Sequence, residues 1–501
     1  MTDPIQHFKD LVSEIYDLRT TAALLDWDQQ TKMPTGGAEG RAYQMATLMG
    51  IAHHKFTSAA FGEALDAAET AAQALDPDSD DARHVMRVKR DYLKQVKVPS
   101  EWVSEFTRTT SLAQQVWQHA KPKSDFDTFK PHLRRILELR REYANFFQPY
   151  DHIYDPLLDD FEPGMKSAHV QEIFADLRKE QVALVQAIAE KAQADDSVLH
   201  QKFPIEKQRS FGEQVIRRFG YDFERGRQDK SAHPFTTSFG LGDVRITTRF
   251  QEDFLSPALF ATMHEAGHAI YEQGIKTSLA RTWVADGASL GIHESQSRLW
   301  ENFVGRARPF WTYFYPRLKE TFPEALGRVD GETFFRAVNK VEPSLIRVEA
   351  DEATYNLHIM LRFELERALL EDDLSVDDLP QAWNDRFEAY LGIRPPDHAR
   401  GVLQDIHWSG GSVGYFPTYA LGNLIAAQWW EKIHEDLPDV EDQIAQGEFG
   451  ELLAWLRSNI HQHGAKFMPN ELIQRVTGKE LTAQPYLTYL KSKFGALYGL
   501  T

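Results

Sequence analysis

Five residues, His264-Glu265-Ala266-Gly267-His268, restrict this chain more than any others. On a helix, side chains four positions apart project from one face. His264 and His268 would then supply two imidazole corners of a tetrahedral zinc site, with Glu265 directed beside the ion as a general base. Ser256-Pro257 opens the expected helix, with serine as N-cap and proline at the first helical position, and Gly274 closes it. Ala266 and Gly267 are small enough for a neighbouring element to pack close. A third protein ligand with a fourth position left open marks a catalytic site rather than a structural one. Beyond a loop at Asp286-Gly287, a helix over 289–305 carries Glu294 within His293-Glu294-Ser295-Gln296. Glu294 is one candidate for the third ligand, and Glu272, Asp286 and Glu301 compete with it. The plainer role for Glu294 is an ion pair with Arg298 one turn on. The plainer reading of the histidines is a solvated surface pair.

Immediately before this stretch the period changes. Val244, Ile246 and Phe250 alternate with Arg245, Thr247 and Arg249, while Gly240 and Gly242 mark a turn after His233-Pro234-Phe235-Thr236-Thr237-Ser238. A β-hairpin beside the histidine helix follows, with an edge open to an extended peptide. Elsewhere the pattern is helical. Residues 5–28 form a first helix, ended by Met33-Pro34-Thr35-Gly36-Gly37, and a second passes through Arg41, Met45 and Leu48. Asp76-Pro77-Asp78 makes an exposed turn, and three helices fill 82–147. Ser167 is expected to cap a helix whose stripe is Val170, Ile173, Phe174, Leu177, Leu184, Val185 and Ile188. Ser344 is expected to cap a long helix running through Arg347 to Leu370. The acids Asp155, Asp159, Asp160 and Glu162 lack the regular spacing of a calcium loop. His53-His54 and His461-Gln462-His463 read as surface residues. The whole is a mainly α, large multi-helix fold. Residues 1–501 make one unit, with 1–200 as an outer helical wall and 201–501 holding the metal.

Composition removes several classes of function. Acidic residues outnumber basic ones 74 to 56, a net charge of −18, which argues against nucleic acid or an anionic membrane as the main ligand. With no cysteine there is no disulfide, thiolate metal site or cysteine nucleophile. No apolar run reaches a membrane span and no secretory signal is visible, so the expected location is the cytoplasm.

Several segments together resemble the carboxypeptidase Taq family of metallocarboxypeptidases. They are His233-Pro234-Phe235, Asp243-Val244-Arg245-Ile246-Thr247, the histidine motif, His293-Glu294-Ser295-Gln296 and Gly401-Val402-Leu403-Gln404-Asp405-Ile406-His407-Trp408. The likeness covers nearly the whole chain in order. It implies a helical fold with a deep groove and a small sheet, and one zinc ion held by His264, His268 and Glu294, with Glu265 as base and acid. It further implies release of single C-terminal residues with broad specificity, replacement of zinc by cobalt or manganese, and a homodimer. A carboxypeptidase must also bind the free α-carboxylate, which calls for an arginine in bidentate geometry. Arg347 matches a family position suited to this, with Arg245 and Arg249 as alternatives; the plainer role for Arg347 is a pair with Glu349 or Asp351. His233, His407, Tyr415 and Tyr419 are candidate donors to the substrate. The competing readings are an oligopeptidase or dipeptidyl carboxypeptidase on the same site, and an inert helical binding protein.

Overall fold

A computed structural model describes residues 3–500. The described residues are mostly helical, with twenty-one α-helices and one three-stranded sheet. They divide into two compact units, each assembled from three stretches of chain. The first contains the N-terminal segment through Val96, Asp196–Val338 and Trp429–Gly478; the second contains Lys97–Asp195, Asn339–Gln428 and the segment from Lys479 onward. The first 200 residues are therefore shared between both units.

In the first unit, Pro4–Thr31, Ala38–Phe56, Ala59–Ala72 and Asp80–Val96 pack their apolar faces into a common core of Phe8, Val12, Ile15, Phe56, Phe61, Leu65 and Val88. Trp283 stacks on Phe56 from outside that bundle, with ring centroids 4.8 Å apart. The sheet consists of β1 (Gln228–Lys230), β2 (Phe235–Ser238) and β3 (Val244–Thr248). β3 is central, antiparallel to β2 and parallel to β1. The hairpin expected from the alternation is β2–β3. Its turn is closed by Asp243 N–H to Gly240 O, and Gly240 adopts a φ of +136° that a side chain would disfavour. β1 is three polar residues with no alternation to betray it. Its Gln228 amide donates to both Thr248 and Thr262, which ties the sheet to the histidine helix.

That helix spans Leu255–Gly274. It starts at buried Leu255, so Ser256 lies inside the first turn and is not the cap; Phe254 occupies that position with no side-chain hydrogen bond. Gly274 is its last residue, as expected, and the reason is packing: a Cβ there would sit 2.6 Å from His461. His461 is fully buried and donates to Gln296 at 2.9 Å, so it is not the surface residue its sequence suggested. The next helix, Leu290–Arg298, is capped by Ser289 and continues as a π-helical turn over Leu299–Val304. The two helices touch backbone to backbone at Gly267, where a Cβ would lie 2.6 Å from Gln296 O and from Ser297 Cα.

In the second unit, the stripe of the helix Ser167–Ala189 is buried as expected. Ser167 is its first residue rather than its cap, because the Asp155 carboxylate takes both its N–H and its hydroxyl. The neighbouring acids also face internal donors: Asp159 accepts from Gly164 N–H, and Asp160 from Arg140 and Tyr143. The long helix expected from Ser344 begins only at Tyr355 and runs to Leu370. Before it, Asp351 accepts N–H groups of Glu342, Ala353 and Thr354 and holds the segment as a loop, in which Arg347–Glu349 make one 3-10 turn.

The contact at Gly267 sets a direct test. Gly267→Ala should cost about 1–3 kcal/mol, because the atoms it meets are backbone and cannot rotate away. Gly242→Ala, with nothing within 4 Å, is the control. The expected reading is a lower thermal midpoint for the first variant alone.

Candidate active site

His264 and His268 leave the histidine helix on one face, with ring centroids 4.9 Å apart. Glu294, on the facing helix, sends Oε2 to 3.5 Å from the Nε2 of each ring. Zinc bonds of about 2.0–2.1 Å at tetrahedral angles put ligand atoms roughly 3.3 Å apart, so these three atoms fit one ion. They form the one metal-capable group among the described residues. Burial drives the His268 pKa down to about 3, which keeps that ring neutral and its lone pair available. The plainer role for Glu294 is also present: its Oε1 accepts from Arg298 Nε at 2.7 Å. One oxygen serves the ion pair, and the other is left facing the histidines.

The acids that competed with Glu294 have other tasks. Glu301 accepts from His264 Nδ1 at 2.9 Å and from Arg298 at 3.1 Å. Burial opposes its ionisation, but Arg298 and His264 prevail and hold it near 2. Glu272 is bonded to His293, and the Asp286 carboxylate accepts from the N–H of Gly287 at 2.7 Å. Carboxylates that orient metal-binding imidazoles through the far ring nitrogen are a recurrent requirement of such sites. Nothing in the spacing of the sequence distinguishes that role from direct ligation.

Glu265 is buried, and its carboxylate pKa is raised, chiefly by desolvation. Its Oε2 accepts from the Thr236 hydroxyl of β2 at 2.7 Å. The strand beside the helix thus fixes the base. Thr236 was missed in the sequence, where it reads only as a strand residue.

The proposed carboxylate-binding residues fall into groups. Arg347, His407, Tyr415 and Tyr419 come together in the second unit around Asp405. Arg347 is buried, with Nε and Nη2 on Asp405 Oδ1 at 3.0 and 2.9 Å and Nη1 on Tyr355 OH at 3.0 Å. Neither Glu349 nor Asp351 is its partner; Asp351 is occupied by loop amides. Fully buried Arg362 binds the other oxygen of Asp405 through Nε at 2.7 Å. Burial opposes the charge on Asp405, yet Arg362 and Arg347 hold its carboxyl far below the usual range. Two guanidiniums share one carboxylate, which leaves one positive charge in excess. The Arg347 guanidinium lies 5.1 Å from the Tyr419 ring, His407 lies 5.3 Å from Tyr415, and His407 Nδ1 has no hydrogen-bond partner. Asp405 and Arg362 were not singled out in the sequence as site residues. Arg245 is in the first unit, its fork bidentate to Asp243 at 2.8 Å and its plane over Trp27. His233 and Arg249 are exposed in that same unit.

A family model described as Carboxypeptidase Taq (M32) metallopeptidase matches residues 7–494. Thermostable carboxypeptidase 1 of Thermus thermophilus is 44% identical over 99% of this chain and 99% of its own. Carboxypeptidase 1 of Bacillus subtilis is 40% identical over 98% of each. Among solved structures, the M32 carboxypeptidase from Deinococcus radiodurans matches with a TM-score of 0.97 at 43% identity, over 99% of this chain and 100% of that one. Pyrococcus furiosus carboxypeptidase matches with a TM-score of 0.94 at 36% identity, over 99% of each.

Removing the charge that separates the buried arginines should be costly. Asp405→Asn leaves Arg347 and Arg362 without an anion, and we expect a loss of about 3–5 kcal/mol, read as a lowered thermal midpoint at neutral pH.

Proposed function

The chain belongs to the carboxypeptidase Taq (M32) metallopeptidase family and is a metallocarboxypeptidase; from that premise we propose that it releases single residues from free peptide C-termini using one zinc ion held by His264, His268 and Glu294. The observation that carries this reading is the meeting of two Nε2 atoms and one carboxylate oxygen at 3.5 Å. Zinc, when bound, supplies Lewis-acid polarisation of the scissile carbonyl and activation of water. Its donor set is nitrogen and oxygen only, so cobalt or manganese would also be accepted.

The other work falls to side chains. Glu265 takes the proton of the attacking water and later delivers it to the leaving amine. Thr236 engages Oε2, which leaves Oε1 of Glu265 as the proton-transferring atom. The excess positive charge around Arg347, with the hydroxyls of Tyr355, Tyr415 and Tyr419 and the imidazole of His407, suits a substrate α-carboxylate. Arg245 is a weaker choice because Asp243 matches its charge one for one, whereas Asp405 is shared by Arg347 and Arg362. Exposed His233 is free to donate to a substrate carbonyl. Peptides are the proposed partners, a homodimer is proposed on the strength of the family resemblance, and the cytoplasm is the proposed location.

Timed mass spectrometry of N-blocked peptides tests this reading. Free-acid peptides should yield a ladder of single-residue steps, while the same peptides with a C-terminal amide should stay intact. Two-residue steps would indicate a dipeptidyl carboxypeptidase, and internal cleavage an oligopeptidase. Glu265→Gln should retain about one equivalent of metal and lose on the order of 10²–10⁴ in turnover.

A further inference from the structure

His268 and His293 meet Nδ1 to Nδ1 at 2.6 Å, and His293 Nε2 lies 2.7 Å from Glu272 Oε1. The first contact joins two identical atoms, so one must carry a proton while the other presents a lone pair. His268 Nε2 faces Glu294 Oε2 and is the nitrogen turned toward the metal position. A neutral ring with its lone pair there carries its proton on Nδ1. His268 Nδ1–H therefore donates and His293 Nδ1 accepts. The proton of His293 is then on Nε2, where it donates to the Glu272 carboxylate. The His293 ring is also wedged in place: a Cβ on Gly287 would come within 2.5 Å of its Cδ2, and the Tyr271 ring lies 5.1 Å away.

We propose that His293 is a positioning residue which, with Glu272, fixes the tautomer and ring orientation of His268 and so sets metal affinity. The two metal-facing histidines are thereby held by different devices. Glu301 binds His264 Nδ1 directly, whereas at His268 Nδ1 a carboxylate acts only through a second imidazole. The inference rests on the assignment of His264, His268 and Glu294 as ligands.

The test is zinc affinity of the full chain, measured by competition with a chromogenic chelator. His293→Leu should weaken binding about 10- to 100-fold. His293→Asn can place its carbonyl oxygen where Nδ1 stands and should bind within about threefold of the native chain. Glu272→Met frees the His293 tautomer and should weaken binding roughly tenfold in the native background. The same change should have no further effect beside His293→Asn, since an amide oxygen needs no tautomer set. 15N NMR of the zinc-loaded chain should show His293 protonated on Nε2 and bare on Nδ1, a readout that remains if His293→Leu fails to fold. Native affinity in His293→Leu or Glu272→Met, an equal effect of Glu272→Met in both backgrounds, or a proton on His293 Nδ1 would each overturn the proposal. Native zinc affinity in His264→Ala would instead refute the ligand assignment beneath it.

Discussion

Everything at the metal-capable cluster depends on how closely two helices approach. At Gly267 the histidine helix lies directly against the backbone of Gln296 and Ser297, with no room for even one carbon between them. That contact falls between His264 and His268 in sequence and two to three residues past Glu294 on the partner helix. It therefore decides whether a carboxylate one side chain long can reach both imidazoles. Farther apart, Glu294 would have only its neighbour Arg298. At this distance it satisfies Arg298 with one oxygen and presents the other to the rings.

The surroundings convert that approach into a fixed geometry. Each of the three facing groups is engaged on its far side: His264 by Glu301, His268 by His293, and Glu294 by Arg298. Buried polar groups with every partner supplied have one orientation, whereas a partly satisfied cluster would have several. The sheet contributes through Thr236 on Glu265 and through Gln228, which anchors β1 to both β3 and the helix. The arginine pair on Asp405 follows the same logic in the second unit, where one carboxylate fixes two guanidiniums.

The legible parts of this molecule were those whose signal is local. The helix periods, the β2–β3 alternation and the four-residue histidine spacing all read directly, because each depends on neighbours along the chain. The errors fell where a distant partner overrides a local preference. Ser167 looks like a cap, but Asp155 claims it. The segment after Ser344 has helical character, but Asp351 gathers its amides into a loop. His461 looks like a surface residue until Gly274 and Gln296 make a pocket for it. β1 was invisible because three polar residues carry no pattern of their own. Among the acids, spacing alone left four candidates for one ligand position, and only the folded arrangement assigns Glu301 and Glu272 to histidine ring nitrogens. The pairing of Arg347 with Asp405, 58 residues on, is likewise beyond any local rule.

The central claim is that Nε2 of His264, Nε2 of His268 and Oε2 of Glu294 surround one ion. Crystals of the zinc-loaded protein, with anomalous diffraction collected on either side of the zinc edge, measure this most directly. The account predicts a single strong peak at about 2.0–2.2 Å from those three atoms, with no other side chain in bonding range. A peak elsewhere, or one bonded to Glu301 or Glu272 in place of Glu294, would contradict it.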